Sequence, residues 1–375
     1  MHKFVISGGL GLLGQRVVRQ IISTGRRVRV MVVDAAPPGK GLERDIPTAD
    51  DGGVGDGGVD EEVRSLSGGG CTRPLNADGL PVLSLVTGDL ASTEVMAAIK
   101  EFAMGDGCGE DKEVPATPTS ASMSSLSVFH LASVMSGQGE QDFSEALRVN
   151  VDGTRLLLDT CHRVGGRPRF VFASSIAAFG GGELVNDETK LLPQTTYGMT
   201  KACAELLVND CTRKGYVDGR IARLPTVIVR PGPPNPAATG CFSAVPKAIL
   251  NGEDFVSPVS SDFRHPCIGL SSAVRGLIRL HDAPEVGMGR RDRAITLPSV
   301  SVTLSDLERS AGQLARELGR SPGTVSYEPS DAIESVVKAM PSAVQVSSRA
   351  TDLGLVADAG AHEMVAEFVK DQGLG

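Results

Sequence analysis

The stretch His2-Lys-Phe-Val-Ile-Ser-Gly-Gly-Leu-Gly-Leu-Leu-Gly14 decides the predicted fold, because a short apolar strand runs directly into three spaced glycines. The following residues, Gln15 to Ile22, have helical periodicity. Gly8 suits a tight turn, Gly11 gives a pyrophosphate access to the backbone, and Gly14 lets the helix pack closely on the strand. A strand, glycine turn and helix in this order are typical of a doubly wound α/β sheet that binds a dinucleotide.

The start of this helix is a predicted phosphate site. Its first residues, Leu12 and Leu13, present backbone N–H groups and the positive end of the helix dipole. The next strand, Arg27 to Asp34, ends in a carboxylate, placed to accept both ribose hydroxyls and to repel a 2′-phosphate. We therefore expect NAD rather than NADP. A solvated strand-end aspartate is the plain alternative, and Lys40 or Arg44 could still admit NADP.

Composition limits the class of protein. The 375 residues are 41% hydrophobic and 22% charged, enough for one large or two coupled domains. A net charge of −8 without any concentrated Lys/Arg stretch argues against nucleic acid or anionic membrane as partners. No apolar run approaches the roughly 18–20 residues that span a bilayer, and no signal peptide is evident, so we expect a cytoplasmic protein. Neither the seven cysteines nor the six histidines show metal-ligand spacing, so we expect no metal.

Two low-complexity stretches interrupt the predicted sheet. Residues 36–78 and 104–125 are rich in glycine, serine and acidic residues, and they offer too little apolar surface to fold on their own. We interpret both as insertions at loops of the sheet, where the core tolerates them. Residues 1–230 then form an NAD-binding domain, and residues 231–375 form a smaller substrate-binding domain that returns to the sheet near 266–298.

A second strand-to-helix stretch carries candidate catalytic residues. Phe170-Val-Phe-Ala-Ser-Ser-Ile-Ala-Ala-Phe-Gly180 predicts a buried strand running into two serines, and Thr196-Tyr-Gly-Met-Thr-Lys-Ala202 opens a helix. Tyr197 and Lys201 are four residues apart, so they share one helix face at roughly 5–6 Å. A nearby ammonium favours the phenolate, and a base near neutral pH needs the phenol pKa lowered by about 2–3 units. The alternative is an ordinary surface Tyr-Lys pair.

These elements together resemble the extended short-chain dehydrogenase/reductase family, also called NAD-dependent epimerases/dehydratases. The resemblance rests on the glycine turn at Gly8, the serine pair and the Tyr-x-x-x-Lys motif in chain order, and it covers nearly the whole chain. It implies a Rossmann doubly wound parallel sheet with a smaller C-terminal substrate-binding domain, and NAD as the cofactor. It also implies a homodimer formed through the helices that carry Asn150 and Tyr197.

The resemblance assigns the catalytic roles. Tyr197 would be the base, and Lys201 would lower its pKa and bind the nicotinamide ribose. Ser175 would hydrogen-bond the reacting oxygen, in preference to Ser174, because it directly precedes the three residues before Phe-Gly. Asn150 lies within a helical pattern, where asparagine is propensity-poor, and the matching family residue bends the helix and holds a water linked to the lysine.

Other positions match the family's cofactor-binding and substrate-binding segments. Asp89 and Leu90 correspond to a turn that contacts adenine, and Asp89 could accept the adenine amino group. Ala132 belongs to the strand end that lines the nicotinamide side, and Ser133, which replaces the usual alanine, would put a hydroxyl near the substrate. His130 lies in the same strand end, and we interpret it as a packing residue, because lone strand-end histidines are more often packing residues than catalysts.

The C-terminal half indicates the substrate class. The segments 215–238, 251–254 and 353–358 are similar to a branch of the family that oxidises the C2 hydroxyl of a four-carbon sugar acid with NAD. Phe179 replaces a family tyrosine and disfavours a nucleotide sugar. Arg264 is a candidate for gripping a substrate carboxylate, because its planar guanidinium matches two carboxylate oxygens, although a surface arginine is equally consistent.

Three functions remain open at this stage. The first is a sugar-acid dehydrogenase, and the second is a nucleotide-sugar epimerase or dehydratase that recycles its NAD. The third is an NAD(H)-sensing or scaffold protein whose two insertions bind partners. The intact Ser175, Tyr197 and Lys201 set favours an enzyme.

Overall fold

The computed structural model of the protein describes most of the chain, namely residues 1–24, 27–35, 71–75, 81–104, 126–232, 238–289 and 291–374. Most of the two predicted insertions lies outside these residues, as do Lys40 and Arg44. The first insertion was expected to contribute nothing to the sheet, yet its residues Cys71–Leu75 form a strand. That strand pairs antiparallel with the next one, so backbone hydrogen bonding gives it a place in the sheet that its composition does not reveal.

The strands of the described residues are, in chain order, β1 (His2–Ser7), β2 (Val28–Asp34), β3 (Cys71–Leu75), β4 (Pro81–Thr87), β5 (Leu126–His130), β6 (Arg169–Ser175), β7 (Asp218–Leu224), β8 (Thr226–Ile228), β9 (Phe255–Ser257), β10 (Arg264–Gly269), β11 (Ala294–Thr296), β12 (Val300–Thr303) and β13 (Val325–Tyr327). The helices are α1 (Leu12–Ile22), α2 (Thr93–Met104), α3 (Ser136–Gln141), α4 (Phe143–Leu147), α5 (Gly153–Val164), α6 (Thr196–Arg213), α7 (Cys241–Asn251), α8 (Leu270–Asp282), α9 (Leu304–Glu317), α10 (Asp331–Lys338), α11 (Ser348–Asp352) and α12 (Ala361–Asp371).

The main sheet has the order β11-β7-β6-β5-β1-β2-β4-β3. The pairings of β1 with β2 and β5, of β2 with β4, of β5 with β6 and of β7 with β11 are parallel. Because the chain starts at the middle of the sheet and winds outward in both directions, the sheet is doubly wound. This confirms the predicted α/β fold class. β10 does not join the main sheet and pairs with β8 and β12 in a separate three-stranded sheet.

The chain divides into two compact units. The first contains Met1–Ser133, Leu147–Phe172 and Leu206–Arg220, and the second contains Val134–Ala146, Ala173–Glu205 and Ile221–Gly375. This division crosses the chain at several points. The predicted domains, 1–230 and 231–375 with a return to the sheet near 266–298, stay a prediction.

The first unit is built around the apolar strand that opens the chain. Val5 and Ile6 are fully buried in β1, and Val128 and Phe129 are equally buried in β5 beside it. A strand that is buried on both faces has a continuous run of apolar residues, and β1 and β5 follow this pattern in their centres.

The second unit has its own core, formed by α7, α9 and α12 with the small sheet. Phe242, Leu307 and Val365 are fully buried members of this cluster. The sequence predicts short helices at 243–250, 272–281 and 304–318, and α7, α8 and α9 match them within two residues at each end. Within the described part of the chain, no helix combines the length and apolar character needed to cross a bilayer.

Candidate active site

The glycine turn of the first unit has the shape that dinucleotide phosphates require. Gly8 has a positive φ of 69°, and a Cβ there would lie 2.6 Å from the backbone nitrogen of Ala132. A Cβ on Gly14 would lie 2.3 Å from the carbonyl oxygen of Gly8. Any side chain at either position would therefore push the turn, strand and helix apart. The close approach also places the backbone of Ala132 directly beside the turn.

The start of α1 and the end of β2 complete a cofactor cradle. Gly11 precedes α1 and has no side chain to cap it, so the first-turn N–H groups of Leu12 and Leu13 have no side-chain cap there. The carboxylate of Asp34 accepts a hydrogen bond from the N–H of Leu10 at 3.0 Å, which holds it at the glycine turn. An uncapped helix start, a glycine cradle and a carboxylate on one turn fit the pyrophosphate and ribose of NAD.

Asp89 and Leu90 form the turn after β4. One Asp89 oxygen accepts the N–H of Ala91 at 2.8 Å, and the other pairs with the guanidinium of Arg148. Leu90 is buried and packs on Gly153 at the start of α5. The carboxylate of Asp89 thus already stabilises this turn, and its contact with adenine stays a prediction.

Asn150 lies in a π-helical turn, Arg148–Asp152, between α4 and α5. Its side chain is buried, and its Oδ1 accepts a hydrogen bond from the Ser133 hydroxyl at 3.2 Å. Its backbone carbonyl accepts one from Thr154 at 2.6 Å. Single π-helical turns within α-helices are frequent at functional sites, and this one accounts for an asparagine inside a helical pattern. The structure therefore joins two predicted site residues, Ser133 and Asn150, in one contact.

His130 is a packing residue, as expected. Its Nδ1 lies 2.6 Å from the Ser7 hydroxyl and its Nε2 lies 2.7 Å from the Thr154 hydroxyl. The ring is buried, with its centroid 5.5 Å from that of Phe172. Both ring nitrogens have hydrogen-bonding partners in the core, which confirms the structural interpretation.

Ser175, Tyr197 and Lys201 come together in the second unit. Ser175 ends β6, and its Oγ accepts the N–H of Ala177 at 3.1 Å, which leaves its proton for another acceptor. The Tyr197 phenol is close enough that its interaction with the Ser175 side chain lowers the phenol pKa. The Lys201 Nζ lies 5.6 Å from the centroid of the Tyr197 ring and donates to the Ala173 carbonyl at 2.8 Å.

The pKa values of this group differ from the expectation drawn from spacing alone. Burial raises the pKa of Tyr197, although the hydrogen bond from Ser175 and the positive charge of Arg230 oppose this rise. Burial lowers the pKa of Lys201 to about 7, and the Glu205 carboxylate partly offsets that change. The spacing of Tyr197 and Lys201 predicts their mutual interaction, but it does not show the cost of removing both groups from water.

Arg230 is a residue of the site that the sequence analysis did not single out. It follows β8, and its Nε donates to the Val227 carbonyl at 3.0 Å. Burial lowers its pKa, and the ionisable Tyr197 opposes that change, so the charge of Arg230 and the phenol act on one another. A single cation at the end of the apolar run Thr226–Val229 was the available signal.

Arg264 does not join this group. It begins β10 with an exposed side chain, and its guanidinium donates to the Ser301 carbonyl at 3.1 Å. The structure therefore gives no support to the predicted carboxylate grip by Arg264. Spacing along the chain could not decide between the two arginines, because both lie near strand ends and only tertiary packing buries one beside the phenol.

The start of α6 is held so that Tyr197 faces the end of β6. Thr195 accepts the N–H of Gly198 at 3.0 Å, and Glu140 accepts the N–H of Thr196 at 2.6 Å. A Cβ on Gly198 would lie 2.3 Å from the Ala177 carbonyl oxygen. The glycine after the tyrosine thus allows the helix to touch the turn that follows Ser175.

The described residues contain no group of three or more His, Cys, Asp or Glu side chains arranged to hold a metal ion. Five cysteines of the described chain carry free thiols, namely Cys161, Cys203, Cys211, Cys241 and Cys267.

Comparisons with known proteins agree with this geometry. Residues 117–290 match the NAD dependent epimerase/dehydratase family. D-erythronate dehydrogenase of Cupriavidus necator is 39% identical over 253 residues, which are 66% of this chain and 76% of the relative. The enzyme of the same name from Haemophilus influenzae is 36% identical over 249 residues, 65% of this chain and 76% of the relative.

A solved structure shows the same fold. The nucleoside-diphosphate-sugar epimerase from Agrobacterium tumefaciens has a TM-score of 0.75 and 26% identity, covering 100% of this chain and 95% of the other. The chain belongs to the NAD dependent epimerase/dehydratase family. It is an NAD-dependent oxidoreductase of the short-chain dehydrogenase/reductase type that acts on a small molecule, and both the predicted family and the predicted cofactor are confirmed.

Proposed function

We propose that this protein oxidises the C2 hydroxyl of a small sugar acid, similar to D-erythronate, to the 2-oxo acid. The main support is the placement of Ser175, Tyr197 and Lys201 in one group, with the charge of the half-buried Arg230 acting on the phenol. The likeness to two D-erythronate dehydrogenases adds the substrate class.

Tyr197 removes the proton of the C2 hydroxyl through its phenolate oxygen. Ser175 donates a hydrogen bond to the same substrate oxygen. Lys201 lies on the same helix face and stabilises the phenolate when it carries its proton. Bound NAD supplies the acceptor for the hydride that leaves C2. Leu12, Leu13 and Asp34 would hold its pyrophosphate and ribose.

Arg230 takes the role of the carboxylate grip in place of Arg264. A half-buried guanidinium offers two parallel N–H donors to a planar carboxylate, and partial removal from water strengthens such a pair. The Arg230 charge already acts on Tyr197, so a carboxylate bound to it would come within reach of the same electrostatic field. A C2 hydroxyl is adjacent to its carboxylate, which suits this arrangement.

A substrate panel tests the proposal. Aldonates of four to six carbons are supplied with NAD and with NADP in parallel, and the absorbance of the reduced cofactor is recorded. Stoichiometric growth of NADH with a C4 aldonate supports the proposed function. Conversion of a nucleotide sugar without accumulation of NADH would instead support the epimerase or dehydratase reading, which the fold of the Agrobacterium tumefaciens epimerase keeps open.

The Tyr197→Phe variant tests the assigned base. Turnover should fall by about 10²–10⁴-fold, because the proton acceptor is gone, while NAD affinity measured by calorimetry stays nearly unchanged. Tyr327→Phe is the matched control, since Tyr327 donates to Glu308 at 2.6 Å away from this group. Unchanged turnover in Tyr197→Phe would reject the proposed mechanism.

A further inference from the structure

The end of β6 and one face of α6 are joined at three successive positions. The Ala173 carbonyl accepts the Lys201 ammonium, and Ser175 hydrogen-bonds Tyr197. Between them, the Ser174 hydroxyl donates to the Glu205 carboxylate at 2.5 Å. Residues 197, 201 and 205 are spaced by one helical turn, so they lie along a single stripe of α6. The mechanism uses two of these three contacts and leaves the third, at Glu205, without a role.

Glu205 is a fully enclosed carboxylate. Only 1% of the residue is exposed. Arg223 on β7 holds it with a bidentate pair, in which Nε lies 3.0 and 3.1 Å from the two oxygens and Nη2 lies 2.7 Å from Oε2. Removing either partner of such a pair would leave an uncompensated buried charge.

Further groups hold Arg223 in turn. Its Nη1 donates to the Asp187 carbonyl at 3.2 Å, and its guanidinium lies 4.8 Å from the centroid of the Phe179 ring. The Asp187 carboxylate accepts the N–H of Thr296 at 2.8 Å and pairs with Arg349 at 3.3 Å. The position of Glu205 is therefore set by β7, β11 and α11 together, and not by α6 alone.

We propose that Glu205 is a positioning residue of the active site, which holds the end of β6 on α6 and places a fixed negative charge one helical turn from Lys201. The proposal rests on the proposed function, because it acts through the catalytic lysine. The two serines then have different roles. The Ser174 hydroxyl anchors the end of β6, and the Ser175 hydroxyl hydrogen-bonds the reacting oxygen of the substrate.

The charges around Lys201 agree with this role. Six charged or titratable groups of the second unit surround this stripe. Tyr197 and Glu205 lie on it, and Arg230 acts on Tyr197. Arg223 pairs with Glu205, and Asp187 and Asp292 act on Arg223. Among them, Glu205 is the group whose charge raises the Lys201 pKa against the effect of burial. Loss of the carboxylate therefore makes the lysine release its proton at lower pH.

The pH dependence of kcat in Glu205→Gln is the decisive measurement. The alkaline limb, where Lys201 loses its proton, should move to lower pH by about one unit, since one nearby charge is removed. The matched control is Glu334→Gln, which removes another buried carboxylate, held by Ser260 at 2.7 Å, from α10. This control should lower the thermal midpoint without moving the limb.

A double variant separates charge from folding. Glu205→Gln with Arg223→Gln removes both members of the buried pair, so it should lose less stability than Glu205→Gln alone. Its alkaline limb should still lie below that of the wild type. If the alkaline limb of kcat lay at the same pH in either variant as in the wild type, the proposal would be overturned and Glu205 would have only a structural role. If Tyr197→Phe kept its turnover, the proposed function itself would fail, whatever Glu205 does.

Discussion

The adjacent serines at the end of β6 have different environments, although the sequence presents them as a simple pair. Ser174 is 1% exposed and donates to Glu205, whereas Ser175 is partly exposed and hydrogen-bonds Tyr197. Successive residues of a strand point to opposite faces, so one hydroxyl faces into the buried pair and the other into the catalytic group. The motif favoured Ser175 as the catalytic serine, and its hydrogen bond to Tyr197 supports that choice.

The two candidate arginines should respond differently to substitution. In Arg230→Gln, kcat/KM for an aldonate should fall about 30-fold, equivalent to ~2 kcal/mol for one partner of a buried charge pair. Steady-state kinetics of both variants with the same aldonate would measure this loss. Arg264→Gln is the control and should stay near wild type, and an equal loss in both variants would reject the assignment.

The buried lysine should make stability depend on pH. Lys201 has a pKa of about 7 in the folded protein and an ordinary value of 10.5. Between these values the unfolded chain binds more protons than the folded protein, so the free energy of unfolding rises with pH. Below about pH 7 both states hold the proton, so Lys201 contributes no pH dependence to the free energy of unfolding there. Lys201→Met lacks the group and should lack this rise.

Urea unfolding at pH 7 and at pH 10 would check this prediction. The free energy of unfolding of the wild type, relative to Lys201→Met, should increase by about 2–4 kcal/mol between the two conditions. Identical changes in both proteins would mean that Lys201 is not buried in the way the structure shows.

At the scale of elements, the contact between α6 and the turn after β6 is a tight constraint on the site. A Cβ on Gly198 would lie 2.3 Å from the Ala177 carbonyl oxygen, and a backbone atom cannot move aside as a flexible side chain can. In Gly198→Ala the start of α6 must shift away from Ser175. We expect turnover to fall about 100-fold, the scale of a 1 Å misplacement, and stopped-flow or steady-state assays would show it.

Gly312→Ala provides the comparison for that variant. Gly312 lies within α9, where the nearest side-chain atom to a new Cβ is 3.6 Å away on Arg316. Alanine should stabilise the protein by about 0.5–1 kcal/mol through its better helix propensity, with no change in turnover. If Gly198→Ala behaved in the same way, the helix start would not be held as tightly as described.

Elements with strong periodicity were predictable, and those that depend on contacts were not. The run from Gly219 to the Pro-Gly break at Gly232 predicts a single strand, but the structure has β7 and β8 in two different sheets. Pro225 interrupts the run, and only the positions of their partners show that the chain changes sheet there. The π-helical turn at Asn150 was likewise visible only as an asparagine in an unfavourable place.

At the scale of the whole molecule, the end of the described chain is part of the core. In α12, Met364, Val365, Phe368 and Val369 are all less than 10% exposed, and α12 packs against α9. Burial of four such side chains contributes about 6–12 kcal/mol, which is comparable with the stability of an entire domain. No helix was predicted from the sequence for Ala361–Asp371.

Removing α12 should therefore unfold the second unit. A protein that ends after Gly360 should lose turnover and its cooperative thermal transition, as recorded by circular dichroism. Because such a truncation also risks aggregation, Met364→Ala is the milder variant, and it should cost about 2–5 kcal/mol. A stable, active truncated protein would show that the second unit folds without this helix.

By itself, the sequence determined the fold class, the dinucleotide turn and the Tyr-x-x-x-Lys pair, because each of these depends on local spacing: strand to turn to helix, or one turn along a helix. Only the tertiary structure decided that Arg230 and not Arg264 lies beside the phenol, and that Glu205 is held by Arg223. Burial also decided the direction of the pKa shifts of Tyr197 and Lys201. The physical reason is that desolvation and charge pairing depend on residues distant in sequence, which no local pattern records.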